Sequence, residues 1–283
     1  MNISRIMVIG SGIMGHGIAL VAARSKFNVS LVDVSNDILQ KAMNKIRKFL
    51  EGSLTRGKIT QDEVDSTLSN MRLSTDIEKE AKNADFLIEA IVENKEIKSN
   101  LFAHLNKLCR EETIFASNTS QLSITQLGEA SQRPELFIGM HWFNPPALMR
   151  LIEIPVGVKT SKQTIDTVVE LSKKMGKQPF LCKDSPGFIV NRILNPWYNE
   201  GMNLLDEGVA AAADIDTAIK VGGGFRMGPL ELRDLVGLDT ALHVTEDLYQ
   251  RLKNDKFKPP MCLRQLVDAG NLGRKTGKGF YEY

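Results

Sequence analysis

The 283 residues carry 42% hydrophobic and 25% charged side chains, enough to bury a core of useful size, and the length fits two domains better than one. Lys and Arg total 36 against 34 acids, a net charge of +2 that gives no case for nucleic acid or for a membrane surface. No apolar run approaches the roughly 18 residues a membrane span requires. Three scattered cysteines (Cys109, Cys182, Cys262) show neither metal-ligand nor redox spacing and read as structural thiols in a reducing compartment. Met1 to Arg5 lead straight into an apolar strand, so the chain reads as cytoplasmic without a leader.

Residues 5–10 (RIMVIG) read as a short buried parallel strand ending at glycine. GSGIMGHGIALVAARS then starts a helical pattern, and Phe27–Asp33 is a second strand ending in an acid, which completes a β-α-β unit. Ser35–Ser53 has helical periodicity through Ile38, Leu39, Met43, Ile46 and Leu50. Thr60–Leu68 is a helix opened by a capping box, Thr60 with Glu63. Strands are expected at Asp85–Ile91 and Thr113–Ser117 around a helix Lys95–Cys109. Further strands are expected at Leu136–His141 and Leu151–Pro155, followed by a helix Thr164–Met175 and the strand-like QPFLC. Strands alternating with helices predict a doubly wound, mostly parallel α/β sheet covered on both faces.

Beyond Lys183-Asp184-Ser185-Pro186-Gly187 the pattern is all helical: Phe188–Glu207, Asp214–Val221, Leu230–Leu235, Asp239–Leu252 and Met261–Ala269. The expected organisation is a Rossmann-like dinucleotide-binding domain over residues 1–185 and an all-helical domain over 186–283.

Gly10-Ser11-Gly12-Ile13-Met14-Gly15 matches G-x-G-x-x-G, follows a strand, opens a helix, and has Asp33 at the end of the next strand. Gly10 permits the tight turn, Gly12 lets backbone approach a pyrophosphate, and Gly15 allows close packing. The helix N-terminus supplies N–H groups for phosphate. Asp33 would accept from the adenosine ribose and repel a 2′-phosphate, so the cofactor is NAD rather than NADP. A glycine-rich turn with no nucleotide is the bland alternative.

Of the four histidines, His16, His104 and His243 stand in settings that suit structural or solvated rings. His141 ends an apolar run and precedes Trp142-Phe143-Asn144-Pro145-Pro146. Glu153 lies inside Leu151-Ile152-Glu153-Ile154, where a buried carboxylate needs a partner. A His141–Glu153 pair would meet both needs and serve as general base; a surface glutamate on an edge strand would give the same local pattern. A lysine four residues before Asn191, the acid of another dehydrogenase class, is absent because Gly187 stands there.

GSGIMGHGIA, IEAIVENKEIK, SNTSQLSI, HWFNPPALMRLIEI, KDSPGFIVNRIL, GPLELRDLVGLD and GRKTGKGFYEY together resemble the L-3-hydroxyacyl-CoA dehydrogenase family in its short single-function form, in family order along essentially the whole chain. The resemblance implies interconversion of (S)-3-hydroxyacyl-CoA and 3-oxoacyl-CoA, with short acyl groups such as those of 3-hydroxybutyryl-CoA and acetoacetyl-CoA. It places His141 on the catalytic base, Glu153 on its partner, and Ser120 and Asn191 on groups that hold the substrate. Asp33, Glu93, Lys98, Asn144 and Lys275 fall on cofactor contacts beside the loop Gly10, Gly12, Ile13, Met14 and Gly15. It also implies a homodimer formed through the helical domain. Trp142, Gln121 and Arg226 depart from the family's usual phenylalanine, serine and proline without removing a catalytic group.

Coenzyme A carries phosphates, and Arg56 with Lys58, cations clustered on one loop, are the candidates for its path; an ordinary solvated turn would look the same. No metal site is expected. Two other readings share these motifs: a dehydrogenase of free hydroxy acids, and an NAD-binding structural protein on the same fold.

Overall fold

The computed structural model describes residues 3–283 and divides the chain into two compact units, Met1–Ser185 and Pro186–Tyr283. In chain order the first holds β1 (Arg5–Ile9), α1 (Gly15–Arg24), β2 (Asn28–Val32), α2 (Asn36–Thr55), α3 (Gln61–Ser69) and β3 (Met71–Ser74). Then follow α4 (Ile77–Ala81), β4 (Phe86–Glu89), α5 (Lys95–Asn106), β5 (Ile114–Ser117), α6 (Ile124–Ala130) and β6 (Phe137–Gly139). It closes with β7 (His141–Trp142), β8 (Leu151–Val156), α7 (Lys162–Lys174) and β9 (Gln178–Lys183).

Six strands pair in the order β3-β2-β1-β4-β5-β6, every neighbour parallel. The order reverses beside β1, and in such a sheet ligands bind at the carboxyl ends of the strands at that reversal. The interior strands β4 and β5 are buried at every residue, which is why each is an unbroken apolar run up to the single polar residue at its carboxyl end, Glu89 and Ser117. Ile6 and Val8 from β1, Ile18 from α1, Leu39 and Ile46 from α2, and Ile88 from β4 share one buried cluster. Burying each such side chain stabilises the fold by about 1.5–3 kcal/mol. The Thr60 capping box forms: Thr60 Oγ1 accepts from Glu63 N (3.2 Å) and Thr60 N donates to Glu63 Oε2 (2.8 Å).

The run 136–141 is not one strand. Phe137–Gly139 closes the six-stranded sheet as β6, and His141 opens a second sheet of order β7-β8-β9 in which β7 is antiparallel and β9 parallel to β8. Gly139 marks the crossing, because a Cβ there would lie 2.3 Å from Pro155 Cγ. The expectation that His141 ends a strand is thereby corrected: it begins one.

The second unit contains α8 (Val190–Asp206), α9 (Ala212–Gly223), α10 (Pro229–Val236), α11 (Leu238–Leu252) and α12 (Met261–Asp268), packed around Met202, Ile215, Leu230, Leu238 and Leu263. Asp216 accepts from Leu230 N (2.9 Å) and Glu231 N (2.8 Å), satisfying donors that the start of α10 leaves open. Asp234 accepts from Phe280 N and Tyr281 N, both at 3.0 Å, and so pins the C-terminal segment. Among the described residues no helix is long and apolar enough to cross a membrane.

Candidate active site

The turn between β1 and α1 requires two of its three glycines for the protein's own sake. Gly10 has φ +89°, in the left-handed region, and a Cβ there would lie 2.6 Å from Ala90 O. A Cβ on Gly15 would lie 1.7 Å from the carbonyl oxygen of Gly10, so only hydrogen fits where the helix begins. Gly12 is different: no protein atom comes within 4 Å of the place a Cβ would take. Its bareness leaves room above the backbone for a pyrophosphate, with the open N–H groups of α1 behind it. Ile13, two-thirds exposed, and the half-buried Met14 carry the loop into the helix.

Asp33 stands just beyond β2, half-buried. Its Oδ2 accepts from Ser11 N and Ser11 Oγ, both at 2.7 Å, and its Oδ1 accepts from Val34 N at 2.7 Å. Ser11 therefore fixes the carboxylate beside the glycine loop. The sequence reading passed over this role, although a hydroxyl inside G-x-G with an acid closing the next strand is the signal. A fixed carboxylate here suits the two ribose hydroxyls of NAD and disfavours a 2′-phosphate.

At the carboxyl ends of β4 and β5 lies a buried polar ring. Lys98 Nζ, about 1% exposed, donates to Glu89 Oε1 (2.6 Å) and pairs with Glu93 Oε2 (2.9 Å). Ser117 Oγ donates to Glu89 Oε2 at 2.6 Å, while Thr119 Oγ1 and Ser120 N donate to Glu93 Oε1, the latter at 2.9 Å. Ser120 Oγ reaches the same oxygen at 3.4 Å. Burial pushes the Glu89 carboxyl up. Burial acts on Glu93 in the same sense, but the Lys98 ammonium and the hydroxyl and amide donors outweigh it and hold that carboxyl below its ordinary value. The structure thus brings Glu93, Lys98 and Ser120 together, with Lys98 held inside the protein by two carboxylates. Glu89 and Ser117 were missed because a glutamate ending an apolar strand, FLIE, gives no spacing signal of its own.

His141 and Glu153 are register partners across the β7–β8 ladder. Glu153 sits on the central strand of its sheet, 1% exposed, which removes the edge-strand alternative. His141, 6% exposed, donates from Nδ1 to Glu153 Oε2 at 2.7 Å. That bond fixes the ring's tautomer and leaves Nε2 as the basic nitrogen. The Phe143 ring lies 4.5 Å from the imidazole, centroid to centroid, and walls one side. Trp142 N donates to Asn118 Oδ1 at 2.9 Å, which ties the end of β7 to the loop that carries Ser120.

Asn144 is exposed and precedes the cis peptide bond to Pro145. It lines a recess of about 460 Å³ between α1 and α2, together with Ile13, His16, Phe49 and the cations Lys45, Lys48 and Arg56. Arg56 stands at the carboxyl end of α2 and enters this lining; Lys58, two residues on and exposed, does not. His16, read as a bystander, shares the recess and holds the Gly12 carbonyl through Nδ1. Asn191 and Lys275 belong to the helical unit: Asn191 in the first turn of α8, and Lys275 paired with Asp239.

A parallel sheet of this strand order, with a glycine loop and an acid at its switch point and a buried His–Glu pair in the same unit, defines an NAD-dependent dehydrogenase. The chain belongs to the 3-hydroxyacyl-CoA dehydrogenase family: residues 5–185 match the family's NAD binding domain and residues 187–283 its C-terminal domain. It is 44% identical to the mitochondrial hydroxyacyl-coenzyme A dehydrogenase of Sus scrofa, over 99% of this chain and 91% of that one. It is 42% identical to the 3-hydroxybutyryl-CoA dehydrogenase of Clostridioides difficile, over 99% of each chain. Among solved structures, the (S)-3-hydroxybutyryl-CoA dehydrogenase of Ralstonia eutropha superposes with a TM-score of 0.96 at 41% identity, covering 100% of this chain and 99% of that one.

Proposed function

We propose that the enzyme acts on short-chain thioesters, interconverting (S)-3-hydroxybutyryl-CoA and acetoacetyl-CoA, with His141 as the general base. The observation that carries the role of His141 is its hydrogen bond to Glu153 on buried, register-paired strands, and the likeness to 3-hydroxybutyryl-CoA dehydrogenases supports the short acyl group. Bound NAD supplies the hydride acceptor for C3. His141 Nε2 takes the proton of the 3-hydroxyl, and Glu153 steadies the imidazolium that results. In reduction His141 returns that proton to the 3-oxo oxygen. Ser120, held by Glu93, and Asn191 are assigned to the reacting oxygen. Gly10, Gly12, Ile13, Met14, Gly15 and Asp33 are assigned to the dinucleotide, with Glu93, Lys98, Asn144 and Lys275 as further contacts.

The recess lined by Lys45, Lys48 and Arg56 supports coenzyme A as the acyl carrier, since its phosphates need cations and its pantetheine an apolar path. Lys58 contributes only to the field around it. The helical unit is assigned to substrate and dimer contacts, with Val221, Phe225, Leu235 and Val236 exposed on it. Cys109, pushed up to about 11 by burial, and Cys182 and Cys262, pushed up to about 12 by the same cause, suit inert thiols in the cytoplasm.

The test is oxidation of NADH with acetoacetyl-CoA and with free acetoacetate side by side. Turnover of the thioester alone is expected. Equal turnover of the free acid would replace this reading with a hydroxy-acid dehydrogenase, and turnover of neither would remove the short-chain substrate.

A further inference from the structure

We propose a second anion site in the first unit, for a small phosphorylated molecule carrying two or more negative charges, in the recess enclosed by α1, α3, α7 and the 147–150 segment. The recess has a volume of about 600 Å³ and is separate from the α1–α2 recess, with only Ala147 lining both. Five cations face it: Arg24 and Lys26 from the end of α1 and the turn after it, Arg150 from the loop before β8, Lys174 from the last turn of α7, and Lys177 before β9. Among the described residues none of the five forms an ion pair. Two acids, Asp62 and Glu63 of α3, share the wall, and Glu63 is engaged in capping its own helix.

The carboxyl ends of α1 and α7 draw Arg24 and Lys174 toward them, but each offers only about half a charge. Lys177 has no such excuse. It is 9% exposed and donates to Pro146 O (2.6 Å) and Met149 O (2.8 Å), both neutral acceptors. A buried cation without a counter-charge is costly, and burial together with the Arg24 charge pulls its ammonium down to about 8. An anion in the recess would supply what Lys177, Arg24 and Arg150 lack.

Occupancy would be felt at the active site. Lys177 holds the segment that follows Asn144, and its Nζ lies 5.4 Å from the Trp142 ring centre, next to His141. Trp142 is one of two tryptophans, so Trp197→Phe leaves it as the sole indole and a built-in reporter.

The experiment titrates inorganic pyrophosphate into the full chain by calorimetry, and follows Trp142 emission in the Trp197→Phe variant. Saturable binding that weakens with salt is expected, with at least a tenfold loss of affinity in Arg150→Gln/Lys174→Gln. Both positions are exposed, and turnover without pyrophosphate should stay unchanged. Failure to saturate, or equal affinity in the double variant, would overturn the site. So would competition with the thioester that disappears in Arg56→Gln, because that anion would be seated in the α1–α2 recess.

Discussion

His141 and Glu153 form a unit in which the carboxylate acts only through the ring. His141→Ala should lower kcat by about 10²–10⁴, and it should lower thermal stability as well, because it takes the ring away from a buried carboxylate. Glu153→Gln should lose a smaller factor, and the double variant should be little worse than His141→Ala alone; steady-state kinetics on the three proteins measure this. Multiplicative losses would mean that Glu153 acts independently. This pair was legible in the sequence because a carboxylate inside Leu-Ile-Glu-Ile can be stable only with a partner, and a histidine closing an apolar run is a chemical match. The Ser11–Asp33 contact had a signal in the glycine loop that went unread, whereas the Glu89–Lys98 contact was not legible. Serine and glutamate at strand ends announce no partner, and which oxygen faces which donor depends on the strand order.

At the scale of the element, the glycine loop separates what the fold needs from what the ligand needs. Gly15→Ala places a methyl 1.7 Å from the Gly10 oxygen and should displace the start of α1, lowering both stability and NAD affinity. Gly12→Ala meets no protein atom within 4 Å, so the fold should be retained while NAD affinity falls at least tenfold. Thermal melts with and without NAD distinguish the two: an unchanged melt without NAD and a lost ligand shift are expected for Gly12→Ala. In α3, Thr60→Ala removes the acceptor for Glu63 N and should cost about 1 kcal/mol in a urea titration. That cap was readable from four residues, and so were the long amphipathic helices. The edge strand β3 was not, because Met71-Arg72-Leu73-Ser74 is only partly buried and its alternation is too short to stand out. The break at Met140 was hidden for the opposite reason. Both sheets bury this stretch, so the apolar run continues while the chain changes sheets.

At the scale of the whole molecule, the first unit is closed from behind by one acid. Asp85, at the opposite end of β4 from the site, accepts from Ser4 N and Ser4 Oγ at 3.0 Å and from Arg5 N at 2.8 Å. It also pairs with the guanidinium groups of Arg5 and Arg110, joining the start of β1 to the segment after α5. Burial alone would raise this carboxyl, but the Arg5 side chain, the two backbone amides and Arg110 outweigh it and hold it far below the usual carboxylate range. A depressed folded value means that the unfolded chain binds the proton more readily. The stabilisation is therefore complete above the unfolded value of 3.8 and is lost as pH falls from there through the folded value. Asp85→Asn should cost about 2–3 kcal/mol at pH 7, the scale of losing hydrogen bonds to a buried charge. With a urea slope of about 2 kcal/mol/M, the midpoint should fall by roughly 1 M. The readout is Trp142 emission in a Trp197→Phe background, which follows the first unit. The gap between variant and parent should narrow steadily once the pH drops below about 4. A gap that persists unchanged into stronger acid would mean that Asp85 stabilises the unit by shape and neutral hydrogen bonds, not by its charge.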